Sequence, residues 1–209
     1  MEKLDMVKLL EIHPKNPQIR LLEQVADELR RGAVIVYPTD SGYALGATLG
    51  NKNGLERIRC IRNLSKQHYF TLMMRDLAHI GEYAKLDNIS FRLLKRILPG
   101  SYTFVLQGTR DVPNRLLHAK KKTIGFRVSN HGLVQALLDV LNEPIINTSL
   151  IIKDCEFFDI DDVYDSLEKR VDVIIDGGYC PLEPTTVIDL SLSSINIIRQ
   201  GAGDISLII

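Results

Sequence analysis

A buried strand and the loop that leaves it are encoded by Ala33-Val34-Ile35-Val36-Tyr37-Pro38-Thr39-Asp40-Ser41-Gly42-Tyr43. An apolar run of this kind, stopped by a proline, predicts a strand that is covered on both faces. Two hydroxyls and a flexible glycine follow directly, at the place where α/β proteins commonly bind ligands. The alternative is a capping turn, in which Thr39 and Ser41 satisfy backbone groups. The spacing leaves both interpretations open.

Helices and strands alternate to either side of this stretch. Apolar residues spaced by three and four from Ile19 to Leu29 predict an amphipathic helix that ends at Gly32. Further helices are predicted at 55–64, after Asp76, at 87–97 and at 130–141. Strands are predicted at 6–13, 70–74, 102–106, 123–128, 145–149, 171–175, 186–190 and 195–198.

This order of elements indicates the α/β class. Because the helix-poor end brings two strands close together, we expect some antiparallel pairs. The prediction is a single α/β domain with a twisted, mixed parallel/antiparallel sheet covered by helices. Its expected bounds are 14–203, with an N-terminal edge strand in 1–13 and a C-terminal tail at 204–209.

Composition excludes several other classes of protein. The chain has 209 residues, of which 45% are hydrophobic, so it can bury one full core. No apolar run approaches the roughly 20 residues of a membrane-spanning helix. The charged start lacks the apolar segment of a secretory signal. Cys60, Cys155 and Cys180 form no CxxC pair, which argues against a disulfide framework or a zinc site. We therefore expect a cytoplasmic monomer or homodimer with no metal site and no membrane partner.

A formal net charge of zero conceals a strong separation of charge along the chain. Residues 51–127 hold 16 Lys/Arg against 5 Asp/Glu, a balance of +11, and the remainder carries −11. Such a separation predicts a positive face that attracts an anion. Ordinary solvated helix faces are the alternative.

The arginines give this positive face its chemistry. The densest basic cluster holds Arg57, Arg59, Arg62 and Lys66, and such side chains suit a polyphosphate. A solvated helix face fits this cluster equally well. Arg127 differs, because it stands inside a strand between apolar neighbours, where a charge usually has a partner or a ligand.

Seven segments, taken in their order along the chain, resemble the YrdC-like family, whose enzymes are threonylcarbamoyl-AMP synthases. The first of them, together with 70–73, looks most like its YciO-type branch. They are 38–46 (PTET-x-Y-G-L-G in the family), 61–66 with Arg62 and Lys66 (K-x-R and the next lysine), 98–103 (PGP-x-T), 123–127 (TVAVR), 148–149 (T-S-A-N), 184–189 (PSTVVD) and 199–202 (R-x-G-A), while 70–73 adds to the YciO likeness. No single segment is specific, but their order is.

The resemblance implies a YrdC-like fold and a reaction of threonine, bicarbonate and ATP with Mg²⁺. The products would be threonylcarbamoyl-AMP and pyrophosphate, for the t6A modification of tRNA. Position by position, it implies that Arg62 and Lys66 are catalytic and that nucleotide binding falls to Arg62, Lys66, Thr123, Ser149 and Arg199. It likewise implies that threonine is held by Thr39, Arg127 and Thr185, with Arg127 pairing the carboxylate. The alternative is a non-catalytic protein that binds double-stranded RNA or tRNA on the same basic face.

Three positions depart from the family pattern, one of which is the strand-end histidine that aligns near Met73 or Met74, although His68 could reach in from the loop. Cys60 stands where the family has the first cation of K-x-R, and Ile151 stands where it has the asparagine of S-x-N. We therefore expect Cys60→Lys to restore a charge toward phosphate and Ile151→Asn to add a hydrogen bond toward the nucleotide.

Overall fold

The computed structural model describes residues 6–65, 68–152, 157, 159–192 and 194–208. The predicted site residue Lys66 and the cysteine Cys155 lie outside these residues. The strands are β1 (Lys8–Glu11), β2 (Ile35–Thr39), β3 (Gly42–Thr48), β4 (Thr71–Met73), β5 (Tyr102–Gln107), β6 (Thr123–Arg127), β7 (Ile145–Ser149), β8 (Val173–Asp176), β9 (Thr186–Asp189) and β10 (Asn196–Arg199). The helices are α1 (Ile19–Arg30), α2 (Lys52–Arg62), α3 (Leu77–Tyr83), α4 (Asn88–Ile97), α5 (Gly132–Leu141) and α6 (Ile160–Leu167), followed by a 3₁₀ turn at Ile205–Leu207.

The ten strands form one mixed sheet in the order β1-β8-β2-β3-β7-β4-β6-β5-β9-β10. The pairs β1–β8, β8–β2, β4–β6 and β5–β9 are parallel, and the other five pairs are antiparallel. The predicted fold class, a single α/β domain with a mixed sheet covered by helices, is therefore confirmed. In the described part of the chain, β1 and β10 are the two edges of this sheet.

The periodicity missed one strand, β3, which pairs with β2 through a tight turn. Two glycines make this strand look like a loop in the sequence. Gly42 has φ +102°, a left-handed conformation that the turn requires. At Gly46 a Cβ would come within 2.8 Å of Ile145 and 2.9 Å of Tyr37, so only glycine lets these side chains pack across the strand.

The helix α6 was also missed, because its apolar stripe is narrow and surrounded by carboxylates. Val163 and Leu167 are buried, whereas Asp161 and Asp162 occupy the first turn. The side chain of Asp159 accepts hydrogen bonds from the backbone N–H groups of both aspartates and so caps the helix.

The alternation of side chains across the strands builds one core on each face of the sheet. On the first face, α2, α3, α4 and α6 pack over residues such as Val36 and Leu72. On the second face, α1 and α5 pack over Ile35, Tyr37 and Met73. No described residue of β5, β6 or β9 belongs to this second core, so that half of the second face is available for a site.

Within the described ranges, none of the helices combines the length and the apolar character needed to cross a bilayer.

Candidate functional site

A cavity of about 540 Å³ lies on the uncovered half of the second sheet face. Alternate residues of β6, namely Thr123, Gly125 and Arg127, contribute to its floor, while Phe126 between them packs into the core of the first face. The volume is typical of a site for a small ligand.

Strand register gives the cavity two ends. Thr123 and Arg127 are four residues apart on β6, or roughly 13 Å at ~3.3 Å per residue. Thr103 lies beside Arg127, because Phe104 pairs with Phe126. We call the part around Thr103, Arg127 and Thr185 the Arg127 end. The part around Thr123, Ser149 and Arg62 is the Arg62 end.

The Arg127 end holds a nearly fully buried cation. The side chain of Arg127 is 4% exposed, and its Nη2 donates to Oδ1 of Asp40 over 3.0 Å. Its Nε is buried and has no hydrogen-bond partner in the described structure. Because Arg127 also lines the cavity and a guanidinium offers several charged donors, this side chain is suited to an anionic ligand.

Hydroxyls complete the Arg127 end. The Oγ1 atoms of Thr103 and Thr185 lie 2.8 Å apart and share a hydrogen bond. Arg199 donates from Nε and Nη2 to the backbone carbonyl of Thr185, over 3.2 and 2.8 Å. Arg199 therefore already uses the edge of its guanidinium to hold the segment that presents Thr185.

The Arg62 end holds a second arginine with free hydrogen-bonding capacity. Arg62 donates from Nη1 to the backbone carbonyl of Ile151, and its Nε is buried without a partner in the described structure. Burial lowers the pKa of the Arg62 guanidinium. An arginine nevertheless stays charged at neutral pH.

His68 accompanies Arg62 without adding charge. Its Nε2 lies 3.3 Å from Oγ1 of Thr148. Burial, followed by the nearby cations of Arg62 and Arg59, lowers the pKa of His68 below its ordinary value. The imidazole is therefore neutral at pH 7 and can exchange hydrogen bonds with a ligand as a neutral group.

The rim of the cavity carries a stacked aromatic pair. The rings of Tyr69 and His118 lie 5.2 Å apart with an interplanar angle of 8°, and Lys121 lines the cavity beside them. Ile151 and Ile198 are exposed by 61% and 55%, although both line the cavity. The opening therefore combines flat apolar surface with a cation.

The structure brings most of the predicted site residues together. Six of them line the cavity: Arg62, Thr123, Arg127, Ser149, Thr185 and Arg199. Thr39 does not line it, because its Oγ1 donates to the carbonyl of Gly42 and accepts from the N–H of Ser41. In this arrangement the threonine caps the turn, as the alternative interpretation of that loop anticipated.

Cys60 lies on the outer side of α2, away from the cavity. It is exposed, and it lines a separate depression with Glu56, Arg57 and Arg170. The expectation that Cys60→Lys would restore a charge toward phosphate is therefore wrong. Arg59 instead turns toward the cavity wall, with its guanidinium carbon 5.5 Å from the centre of the Phe70 ring.

Asp40 is the important residue that the sequence did not single out. Its carboxylate accepts hydrogen bonds from Arg127, Ser129 and Ser101. A signal was present, because a buried arginine in an apolar strand needs a nearby anion. The sequence alone could not say which of 26 carboxylates supplies it.

A wide RNA-binding stripe would join Lys120–Lys122 to Arg92, Lys95 and Arg96. Lys121 lines the cavity, whereas the three residues of α4 do not. Arg92, Lys95 and Arg96 are exposed residues of α4. This helix packs on the first face of the sheet, opposite the cavity. The convergence of Arg62, Arg127 and Arg199 in one cavity is the arrangement that a small anionic ligand requires.

Comparison with known proteins places this geometry in a family. A family model for Sua5/YciO/YrdC, described as telomere recombination, matches residues 27–201. Protein YciO of Escherichia coli K12 is 51% identical over 202 residues, which cover 96% of this chain and 98% of YciO. A threonylcarbamoyl-AMP synthase of Vibrio vulnificus is 29% identical over 160 residues, which cover 75% of this chain and 86% of that protein.

Solved structures agree with this assignment. The crystal structure of E. coli YciO matches with a TM-score of 0.93 and 50% identity, covering 98% of this chain and all of that one. The structure of P. abyssi Sua5 complexed with L-threonine matches in fold, with a TM-score of 0.84 and 23% identity, covering 92% of this chain and 57% of that one. The chain belongs to the Sua5/YciO/YrdC family.

Proposed function

We propose that this protein is an ATP-dependent synthase of the L-threonylcarbamoyl-AMP type, acting on threonine, bicarbonate and ATP. One observation carries the proposal. Arg62 and Arg127 line the same cavity, and each has a buried Nε–H that lacks a partner among the described residues. A ligand with one anionic group at each end of the cavity would engage both guanidinium groups. The two ends are roughly 13 Å apart, judged from the spacing of Thr123 and Arg127 along β6.

The two ends suit different parts of that ligand. The Arg127 end would take the carboxylate of threonine, with the hydroxyl of Thr185 beside it. The Arg62 end would take phosphate oxygens, with the hydroxyls of Thr123 and Ser149 as further donors. Charge-assisted hydrogen bonds of this kind contribute about 1.5–3 kcal/mol each.

The chemistry requires placement and positive charge more than acid–base groups. Threonine and bicarbonate form a carbamate with loss of water. A carbamate oxygen then forms a bond to the α-phosphorus of ATP, while the bond to the β-phosphate oxygen breaks and pyrophosphate leaves with the electron pair. Fixed cations such as Arg62 stabilise charge on the transferring and leaving groups.

Magnesium would enter this reaction as part of the substrate. Within the described residues there is no group of three or more His, Cys, Asp and Glu that could hold a metal ion. Mg²⁺ would therefore be carried by the phosphate oxygens of ATP and by water, as is usual for this small, strongly hydrated ion.

The comparisons support the proposal through what the relatives are called. The Vibrio relative is a threonylcarbamoyl-AMP synthase, and the P. abyssi structure contains L-threonine. Transfer of that activity to this chain rests on the cavity.

Pyrophosphate release tests the proposal directly. Wild-type protein with ATP, Mg²⁺, bicarbonate and threonine is expected to release pyrophosphate, and omission of threonine should abolish release. In calorimetry, Arg62→Ala should weaken ATP–Mg²⁺ binding at least tenfold, since it removes a charge-assisted contact. The matched control is Arg92→Ala, which removes an exposed cation from α4 on the other face and should leave binding unchanged.

The RNA-binding alternative gives a different outcome in the same experiments. If wild-type protein ignores ATP but binds duplex RNA with a steep dependence on salt, the synthase proposal fails. Loss of RNA affinity in Arg92→Ala would then place the RNA on the α4 face.

A further inference from the structure

Among the described residues, the Arg127 guanidinium is held from one corner. Its Nη2 donates to Asp40 over 3.0 Å, whereas its Nε is buried and unpartnered in the described structure. A planar guanidinium presents its donors in a fixed fork, so a partner at one corner sets the direction of the others. The orientation of the ligand-facing edge therefore depends on Asp40.

Asp40 is itself fixed by three donors from different parts of the chain. Oδ1 accepts from Arg127 and from the hydroxyl of Ser129, which follows β6. Oδ2 accepts from the hydroxyl of Ser101 over 2.9 Å, just before β5. The carboxylate stands between β2 and β3, and its side chain is only 6% exposed. It thus joins three segments beside the Arg127 end.

These contacts also explain why a carboxylate at this position would not repel an anionic ligand. The cation of Arg127 neutralises the charge of Asp40, and the hydroxyls of Ser129 and Ser101 donate further hydrogen bonds to its oxygens. The ligand would then meet the guanidinium of Arg127 rather than a free negative charge. The Ser129 side chain is itself held in place, because its hydroxyl accepts a hydrogen bond from the N–H of His131 at the start of α5.

We propose that Asp40 is a positioning residue that fixes the guanidinium of Arg127 from its Nη2 corner at the place where Arg127 lines the cavity, ready for the carboxylate of the amino-acid substrate. The identity of that substrate rests on the proposed function. The orientation of Arg127 by Asp40 does not, since it follows from contacts within the protein.

The test uses two readouts that separate these claims. The first needs no ligand: the ¹⁵N–¹H signal of Arg127 Nε, assigned by its loss in Arg127→Lys. It should be resolved and slow to exchange in wild-type protein, and should shift and exchange at least tenfold faster in Asp40→Asn. The second is calorimetry with two probes, L-threonine and inorganic pyrophosphate. Asp40→Asn should weaken threonine at least tenfold and leave pyrophosphate, bound at the Arg62 end, within about twofold.

Asp172→Asn is the matched control. Like Asp40, Asp172 accepts a hydrogen bond from an arginine, here Arg57, and its second donor is the backbone N–H of Val34. It lies outside the cavity lining. It should lower stability without changing threonine affinity. If Asp40→Asn does not fold, Ser101→Ala removes one donor to Asp40 and should produce a smaller change of the same kind.

The outcomes decide the two proposals independently. An Nε signal unchanged in Asp40→Asn, or equal losses for threonine and pyrophosphate, overturns the positioning role. A wild-type protein that binds neither probe sinks the proposed function, while the Nε signal still decides the role of Asp40.

Discussion

At the scale of single residues, the arginines of the cavity differ in what their N–H groups already bond. Arg199 donates from Nε and Nη2 to the backbone carbonyl of Thr185. Arg62 and Arg127 each have a buried Nε with no hydrogen-bond partner among the described residues. Sequence similarity treats all three as ligand-binding residues. Their hydrogen bonds show that Arg199 holds the segment that carries Thr185. Under the proposed function, Arg62 and Arg127 would be the arginines that bind the ligand.

Ile151 offers a direct test of the departure from the family pattern. Its side chain lines the cavity and is 61% exposed, so a polar replacement buries no unsatisfied group. Ile151→Asn is expected to add one hydrogen bond, about 1 kcal/mol, and so to raise ATP affinity about fivefold in calorimetry.

Cys60→Lys is the matched control for that prediction. It adds a full positive charge, but on the outer side of α2. Its ATP affinity should stay within about twofold of wild type. A larger gain for Cys60→Lys than for Ile151→Asn would show that the nucleotide lies outside the cavity described above.

At the scale of elements, we expect alanine substitutions at two glycines to change stability in opposite directions. A Cβ at Gly201 would overlap the backbone of Pro184 and Thr185, where the chain after β10 crosses the start of β9. Gly201→Ala should therefore cost about 1–3 kcal/mol and reduce threonine binding, because Thr185 must move. Gly81 lies in α3 with open space around it. Gly81→Ala should stabilise by about 0.5–1 kcal/mol through helix propensity.

Urea denaturation with a shared m-value measures both changes. The opposite signs distinguish local packing from a general effect of adding a methyl group. A neutral Gly201→Ala would mean that the segments 184–186 and 199–203 do not approach as closely as the structure shows.

Periodicity predicted those elements whose pattern is undisturbed. The helices α1 and α4 place apolar residues every three or four positions, and no glycine or proline interrupts that spacing. The strand β3 was not predicted because it contains Gly42 and Gly46, and glycine has a low strand propensity. Here Gly42 forms the turn and Gly46 allows a close side-chain contact. The helix α6 was not predicted because three carboxylates among its eight residues, and a fourth at the Asp159 cap, obscure its two buried positions.

The sequence predicted which kinds of residue form the site, but not which residues contact one another there. A charged residue within the apolar strand β6 marked Arg127 as a residue with a partner or ligand. Asp40 lies 87 positions away along the chain, and only the fold shows that they meet. Thr39 shows the opposite limit, since the same hydroxyl pattern fits a ligand loop and a turn cap, and the backbone geometry chooses the cap.

At the scale of the whole molecule, three histidines link stability to pH. Burial is the largest cause that lowers the pKa of His68, His79 and His131. In the unfolded chain each imidazole titrates near its ordinary value of about 6.5. Below that pH the unfolded chain therefore binds more protons than the folded one. The stabilisation is fully present above about pH 6.5 and is lost as the pH falls toward the lower folded values. Burial raises the pKa of Glu143, so its effect on stability has the opposite sign. Above the ordinary carboxyl pKa the folded protein binds more protons than the unfolded chain, and this contribution falls as the pH rises.

The melting temperature should consequently fall as the pH is lowered from 7 to 5.5 at constant ionic strength. His79 allows the cause to be isolated, because it is buried on α3, outside the cavity lining, and faces Glu82, Asp76 and Arg75. Burial outweighs the two carboxylates, so His79→Gln should reduce the slope of melting temperature against pH and the number of protons taken up on unfolding at pH 6. Calorimetric scans in buffers of different ionisation enthalpy measure both quantities. A melting temperature that is flat between pH 7 and 5.5, or a slope unaltered in His79→Gln, would show that these imidazoles are hydrated in the folded protein rather than buried.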